Sequence, residues 1–254
     1  ITLYDNPDRA TPEAMNIGIE NASGDIIVFI SGHSTVSDDF FEKILRAFEE
    51  APDADVVGGR MLPEPETYFE TGVAGALISP IGSSSTRFRA MEGYVETVNF
   101  GAYRKKVLDT VGYMDTNLPR GQDYEYNRRV HANDFKIYQY PDLVVKYFPR
   151  SSPIDLARQY FGNGYWKTDI YRKYGDYPFS PRISAIVGVL IGFVFSPLLL
   201  LIVLPLYLIV VTAVAIKTIH TQSVPNLEFV HLPGIVLSLV IMHIFFGAGI
   251  LYGS

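Results

Sequence analysis

The hydrophobic pattern of this chain divides into two regimes. Up to about residue 175 short apolar runs alternate with amphipathic stretches, and beyond Ile183 the apolar positions become almost continuous. In the first regime Ile1 to Tyr4 reads as a strand, Thr11 to Asn21 as a helix, and Ile26 to Ile30 as a buried strand entered through the turn Ser23-Gly24-Asp25. A helix from Asp38 to Glu50, opened by Ser37-Asp38-Asp39, and a strand from Ala54 to Gly58 follow. Such alternation implies a largely parallel sheet with helices on both faces, an α/β fold whose ligands sit at the carboxyl ends of strands. Ser31, Gly32, His33 and Ser34 follow one such end. A further helix opens at Gly121-Gln122-Asp123, where Asp123 and Glu125 place carboxylates in a first turn that the helix dipole favours.

The second regime changes the class of protein. No charged residue occurs from Ile183 to Ile216, and a second apolar run extends from Leu232 to Tyr252, interrupted only by small residues and His243. About 20 apolar residues cross a bilayer as a helix, so the first run is long for one crossing and short for two. It reads as two short crossings turning near Ser196-Pro197 or Pro205, the alternative being one long helix kinked at its prolines. Lys217 to His231 then lies at the interface and Leu232 to Tyr252 forms the last crossing, which gives two or three transmembrane helices. Arg172, Lys173 and Arg182 precede the first run and Lys217 follows it, so the positive-inside tendency puts the N-terminal domain on the cytoplasmic side of a multi-pass cell-membrane protein.

Charge and composition narrow the partners. The net charge of −6 is spread along the chain, which argues against a nucleic-acid partner, and the absence of cysteine removes disulfides, thiol catalysis and thiolate metal sites.

Taken in order, the helix Pro12 to Ala22, the Gly24-Asp25 turn, the strand that breaks into Ser31-Gly32-His33-Ser34, the Gln122-Asp123 helix and the segment Arg158-Gln159 to Trp166-Lys167 resemble the GT-A glycosyltransferases of family 2. The likeness is strongest to the membrane-anchored branch that includes succinoglycan biosynthesis proteins, and it extends from Ile1 to about Tyr174. It implies a GT-A, Rossmann-like nucleotide-sugar-binding domain over residues 1–175, and a membrane region over 176–254. Members of the family begin with a strand, helix and strand that bind the nucleotide base, so the domain is expected to be partial, lacking its first strands.

The resemblance also assigns roles. The family's Asp-x-Asp signature, which holds a divalent ion on the donor diphosphate, falls here on Ser31 and His33 around Gly32. Magnesium prefers oxygen ligands whereas imidazole suits manganese, so His33 is a metal ligand, a diphosphate contact or a cap on the strand end. Asp123 matches the catalytic base, which takes the proton of an acceptor hydroxyl during direct displacement and so inverts the anomeric carbon. Gln122 replaces the Glu common before it and keeps a positioning role, and Glu125, near in sequence, is a second positioning residue and a neighbouring carboxylate that would raise the pKa of the base.

Gly101 and Ala102 either let an acceptor approach the backbone or form a tight packing turn, while Glu92 and Glu96 read as solvated. Arg158, Gln159, Trp166 and Lys167 loosely match the segment that covers donor and acceptor in related synthases. With Tyr160, Phe161, Tyr165 and Tyr171 they equally suit a membrane-surface helix.

The expected activity is transfer of single sugars from a nucleotide-sugar donor to a lipid-linked or glycan acceptor at the membrane, with membrane lipids as surroundings. Transfer onto a polyprenyl phosphate and a non-catalytic membrane subunit are the alternatives.

Overall fold

The computed structural model describes residues 2–31, 34–82, 85–88, 90–175, 197–221, 224 and 227–253. The chain packs as two compact units, Ile1–Leu62 with Thr86–Tyr147 and Pro63–Ser85 with Phe148–Ser254. The second therefore takes in residues on both sides of 175, where the apolar regime was expected to set the boundary.

The first unit is built on strands β1 (Ile26–Val28), β2 (Thr35–Val36), β3 (Val56–Pro63), β4 (Gly93–Tyr94), β5 (Asn99–Arg104) and β6 (Ile137–Tyr147). They run β1-β5-β3-β6-β2 across the sheet, and β4 also pairs with β6. Helices α1 (Thr11–Asn21) and α2 (Phe40–Glu50) lie where the periodicity puts them. In α2 the apolar positions Phe40, Ile44, Ala47 and Phe48 recur at helical spacing and all are buried. They pack on the sheet face formed by Val57, Ala102, Tyr138 and Tyr140. The neighbouring residues Val56, Tyr103 and Ile137 point to the other face, as the two-residue period of a strand requires. There they meet Met15 and Ile19 of α1, and Val107 and Leu108 of α5 (Lys105–Val111). Each fully buried Val, Leu, Ile or Phe side chain among them contributes about 1.5–3 kcal/mol.

Helices therefore cover both faces, but the sheet is not largely parallel. β5 pairs antiparallel with β1 and with β3, and β6 pairs antiparallel with β2 and with β4. β1 and β3 do run in the same direction, as a strand-helix-strand crossover demands. They are not neighbours, because β5 fills the slot between them in the opposite sense. The expected strand at Ile1 to Tyr4 is also absent over Thr2–Tyr4, where Leu3 is 91% exposed. Strand propensity without a paired edge does not make a strand.

The second unit is helical. Helix α3 (Tyr68–Ile78) starts with a reciprocal cap in which Thr67 accepts from the Glu70 amide and Glu70 accepts from the Thr67 amide, and it is buried from Thr71 onward. Helix α7 (Pro153–Tyr174) is capped by Ser152 and ends at Gly175 in the left-handed region. Two further helices, α8 (Pro197–Thr221) and α9 (Leu232–Gly253), are preceded by α4 (Ser85–Phe88) and α6 (Gln122–Ala132) in the order of the chain. The spans Leu201–Thr221 and Phe229–Gly253 are long and apolar enough to cross a membrane. Pro205 lies inside α8 and does not end it, so the turn expected there does not form. One missing N–H is a local defect in a helix of 25 residues. Residues 183–196 of that run, with Ser196 among them, lie outside the described residues.

Helix α9 packs closely against α7. A Cβ added at Gly164 would strike the Phe246 carbonyl oxygen, and one added at Gly249 would strike the Phe161 carbonyl oxygen. Glycines on both helices let the two backbones approach this closely. His243 of α9 donates from Nε2 to the Ile81 carbonyl at 2.8 Å, which leaves Nδ1 to accept from the Tyr207 hydroxyl of α8, also at 2.8 Å.

Candidate active site

Helix α6 gathers three of the sequence-predicted residues, Gln122, Asp123 and Glu125, into its first turn. It starts from Gly121, whose φ of 78° lies in the left-handed region where a side chain is strained. Four ties hold the helix. Tyr126 donates to the Gly112 carbonyl at 2.9 Å, and Asn127 donates to the Thr97 hydroxyl at 2.8 Å and to the Val98 carbonyl at 3.1 Å. The buried hydroxyl of Tyr103 on β5 completes Asn127 by donating to its Oδ1 at 2.9 Å. Upstream, the Asn16 amide of α1 clamps the turn that leads to the helix, accepting from the Met114 amide at 2.7 Å and donating to its carbonyl at 3.1 Å.

The two carboxylates of α6 have different environments. Glu125 is fully buried, and Arg129 donates to both its oxygens from Nε at 3.1 and 3.2 Å. The same guanidinium donates to the Val111 and Tyr113 carbonyls at 2.8 Å and covers the Tyr126 ring. Glu125, near Asp123 in sequence, thus turns to Arg129, since residues two apart on a helix do not face each other. Asp123 remains 37% exposed, and its Oδ2 accepts from Nη2 of Arg87 at 2.8 Å. Its Oδ1 accepts the Tyr124 amide at 2.8 Å, and Gln122 is half-buried beside it.

An aromatic row runs beneath this helix start. The Tyr103 ring meets Phe29, just beyond β1, edge-on at 5.5 Å and Tyr126 at 5.7 Å. Burial pushes the Tyr103 phenol well above its ordinary range, with the charges of Tyr126 and Asp123 adding to the effect. Burial also raises Tyr126, where Arg129 pulls the other way. Phe29 is followed by Ile30 and then Ser31, whose carbonyl accepts the Ser34 amide at 3.0 Å. Gly32 and His33 lie outside the described residues. Among the described residues no three His, Asp or Glu side chains converge on one point.

The remaining candidates are dispersed. Gly101 is buried within β5, where its missing side chain makes room for the ring of Tyr103. Arg158, Gln159, Trp166 and Lys167 all lie on α7 in the second unit. Gln159 and Trp166 are about two turns apart and share one stripe. Gln159 accepts from Arg150 at 3.3 Å, Trp166 meets Tyr165 edge-on, Arg158 pairs with Asp155 at 3.4 Å and Lys167 lies over Tyr171.

An open depression of about 390 Å³ is lined by Tyr94, His131, Asp134, Phe135 and Lys136. It lies at the far end of α6, roughly 12 Å along the axis from Asp123, and is no candidate for the same chemistry.

Sequence reading missed Arg87, which lies in a Ser/Thr-rich stretch without periodicity, and it missed the Asn127 network. The Glu125–Arg129 spacing of four was a readable pairing signal.

Residues 1–112 match the sequence profile of glycosyl transferase family 2. A dolichyl N-acetyl-alpha-D-glucosaminyl phosphate 3-beta-D-2,3-diacetamido-2,3-dideoxy-beta-D-glucuronosyltransferase of Methanococcus voltae is 29% identical over 180 residues, covering 68% of this chain and 56% of that protein. The succinoglycan biosynthesis protein ExoA of Rhizobium meliloti is 25% identical over 182 residues, covering 70% and 55%. The chain thus spans a little over half the length of these relatives. A solved mannosyltransferase from Pyrobaculum calidifontis, in complex with GDP-Man and Mn2+, superposes with a TM-score of 0.52 at 14% identity, over 96% of this chain and 66% of that one. Residues 1–112 therefore match a family 2 glycosyltransferase domain, and the fold is of the GT-A type.

Proposed function

We propose that the protein is an inverting glycosyltransferase that moves a sugar from a nucleotide-sugar donor to a lipid-linked or glycan acceptor at the cytoplasmic face of the membrane. The observation that carries this reading is the contrast on α6. Glu125 is buried and held by Arg129, whereas Asp123 presents a partly exposed carboxylate from the second position of the helix. In the proposed step the acceptor oxygen attacks the anomeric carbon, its proton passes to Asp123, and the bond to the diphosphate breaks with its electron pair on the leaving oxygen. Attack opposite the leaving group inverts the centre.

The name of the Methanococcus voltae relative, a transferase acting on a dolichyl-linked sugar phosphate, supports a lipid-linked acceptor. The two membrane-length helices support a site that works beside a bilayer, and the basic residues Arg172 and Lys173 support the cytoplasmic side. A divalent cation, Mn2+ or Mg2+, belongs to the proposal because the solved mannosyltransferase was bound to Mn2+. When bound, such an ion neutralises the departing diphosphate. Of the three signature positions Ser31, Gly32 and His33, Ser31 is the described one.

The test is sugar transfer from a panel of nucleotide sugars by membranes carrying the whole gene product, with and without chelator, beside Asp123→Asn. A loss of about 10²–10⁴-fold with donor binding retained is the expected result. Full turnover in Asp123→Asn would favour a phosphate nucleophile that needs no base. Silence of the parent toward every donor would favour a non-catalytic subunit.

A further inference from the structure

We propose that Arg87 is a positioning residue that holds the carboxylate of Asp123 in its working orientation, an inference that rests on Asp123 being the base. The contact is an ion pair of 2.8 Å between Nη2 of Arg87 and Oδ2 of Asp123, residues 36 apart in sequence. Both side chains are a little over one-third exposed, and a pair in that setting adds little to stability. What it does supply is geometry.

Each partner is carried by an anchored piece of backbone. Phe88, the next residue after Arg87, is 5% exposed and its ring meets Tyr147, the last residue of β6, edge-on at 5.6 Å. The single turn α4 is too short to orient a side chain by itself, so the buried neighbour fixes where the guanidinium starts. Opposite it, Asp123 stands three residues before Tyr126 and four before Asn127, whose hydrogen bonds tie α6 to Gly112, Thr97 and Val98. A carboxylate on a free χ2 samples many planes. With Oδ2 on Arg87 and Oδ1 on the Tyr124 amide, this one has a single plane, and a lone pair on each oxygen remains for an incoming hydroxyl. Catalysis by a base depends on such alignment, and a misplacement of about 1 Å costs up to 10²-fold.

The experiment measures kcat and donor KM in membranes for Arg87→Gln, Arg87→Lys, Asp123→Asn and the double variant Arg87→Gln/Asp123→Asn. Arg87→Gln is expected to lower kcat about tenfold while donor KM stays within about twofold, the signature of an interaction used only in the transition state. Arg87→Lys, which keeps the charge but not the planar fork, falls between it and the parent. The double variant is expected to be no slower than Asp123→Asn alone, because a residue acting through Asp123 has nothing left to position.

A raised donor KM at unchanged kcat, or the same fold-loss from Arg87→Gln in both backgrounds, overturns the proposal and makes Arg87 an independent contact to the donor's anionic diphosphate. Full activity in both Arg87 variants, with Asp123→Asn inactive, overturns it while leaving the base in place. Full activity in Asp123→Asn removes the base reading and this one with it. Arg87→Lys and a protease-resistance measurement on every variant separate these outcomes from a failure to fold.

Discussion

Replacing Glu125 by Gln tests the account of the α6 anchor, because it removes one negative charge and changes almost nothing in shape. The carboxylate is wholly buried and receives three close N–H contacts from Arg129, at 3.1, 3.2 and 3.1 Å, while the guanidinium itself is 23% exposed. Removing one partner of a buried pair costs about 3–5 kcal/mol when the other charge is left stranded. Arg129 is not wholly stranded here, since it keeps the Val111 and Tyr113 carbonyls and the Tyr126 ring, and Gln keeps one oxygen. The expected loss is therefore about 2–3 kcal/mol, below the range for a fully enclosed pair. Pulse proteolysis across a urea series in detergent reads it as a fall in midpoint of about 0.7–3 M, for a slope of about 1–3 kcal/mol/M. Adding Arg129→Met removes the uncompensated charge, so the two substitutions are expected to couple by at least about 1 kcal/mol. A midpoint that does not move in Glu125→Gln, or strict additivity in the double variant, would refute the anchoring argument.

Two further outcomes follow from the same structure. Tyr103 and Tyr126 have phenols raised above the ordinary value of 10.0, so the unfolded chain releases those protons first. Their contribution to stability is complete below about pH 10 and is lost as pH rises through the folded values, and absorbance near 295 nm should show them ionising only with unfolding. In the second unit, Gly249→Leu drives a side chain into the Phe161 carbonyl, and is expected to abolish the protease-resistant state, whereas Leu251→Ala at an exposed position of α9 leaves it intact.

Local signals in the sequence carried some elements completely. Pro12 at the helix start and the apolar spacing of Met15 and Ile19 located α1 to the residue, and Phe40, Ile44 and Phe48 located α2 to within two residues. The acid-rich opening of α6 was equally legible, and with it Asp123. Pairing was not. Nothing in the period of Asn99–Arg104 says that this strand enters between β1 and β3, since a strand's period reports which faces are buried and not which edge is adjacent. Thr67-x-x-Glu70 was a readable capping box, yet α3 has so many apolar and small residues that no face stands out. Arg87 was invisible for a different reason. Its meaning comes from a carboxylate 36 residues away and from the burial of Phe88, neither of which leaves a periodic mark.

The strand order has a consequence for how the protein is made. Among the described residues no two strands consecutive in the chain are paired with each other. A nascent chain that has delivered β1, β2, β3 and β4 holds four strands that do not pair with one another, and Asn99–Arg104 begins to join them. Ile137–Tyr147 then engages β3, β2 and β4, in the last case with the residues Tyr138 and Gln139 opposite Tyr94 and Gly93. Long-range closure of this kind is slow, and unpaired edges attract other chains while it is pending. A polypeptide interrupted before Ile137 thus lacks the strand that joins β2 and β4 to the sheet, and among the described strands the last in the chain engages the most of those before it.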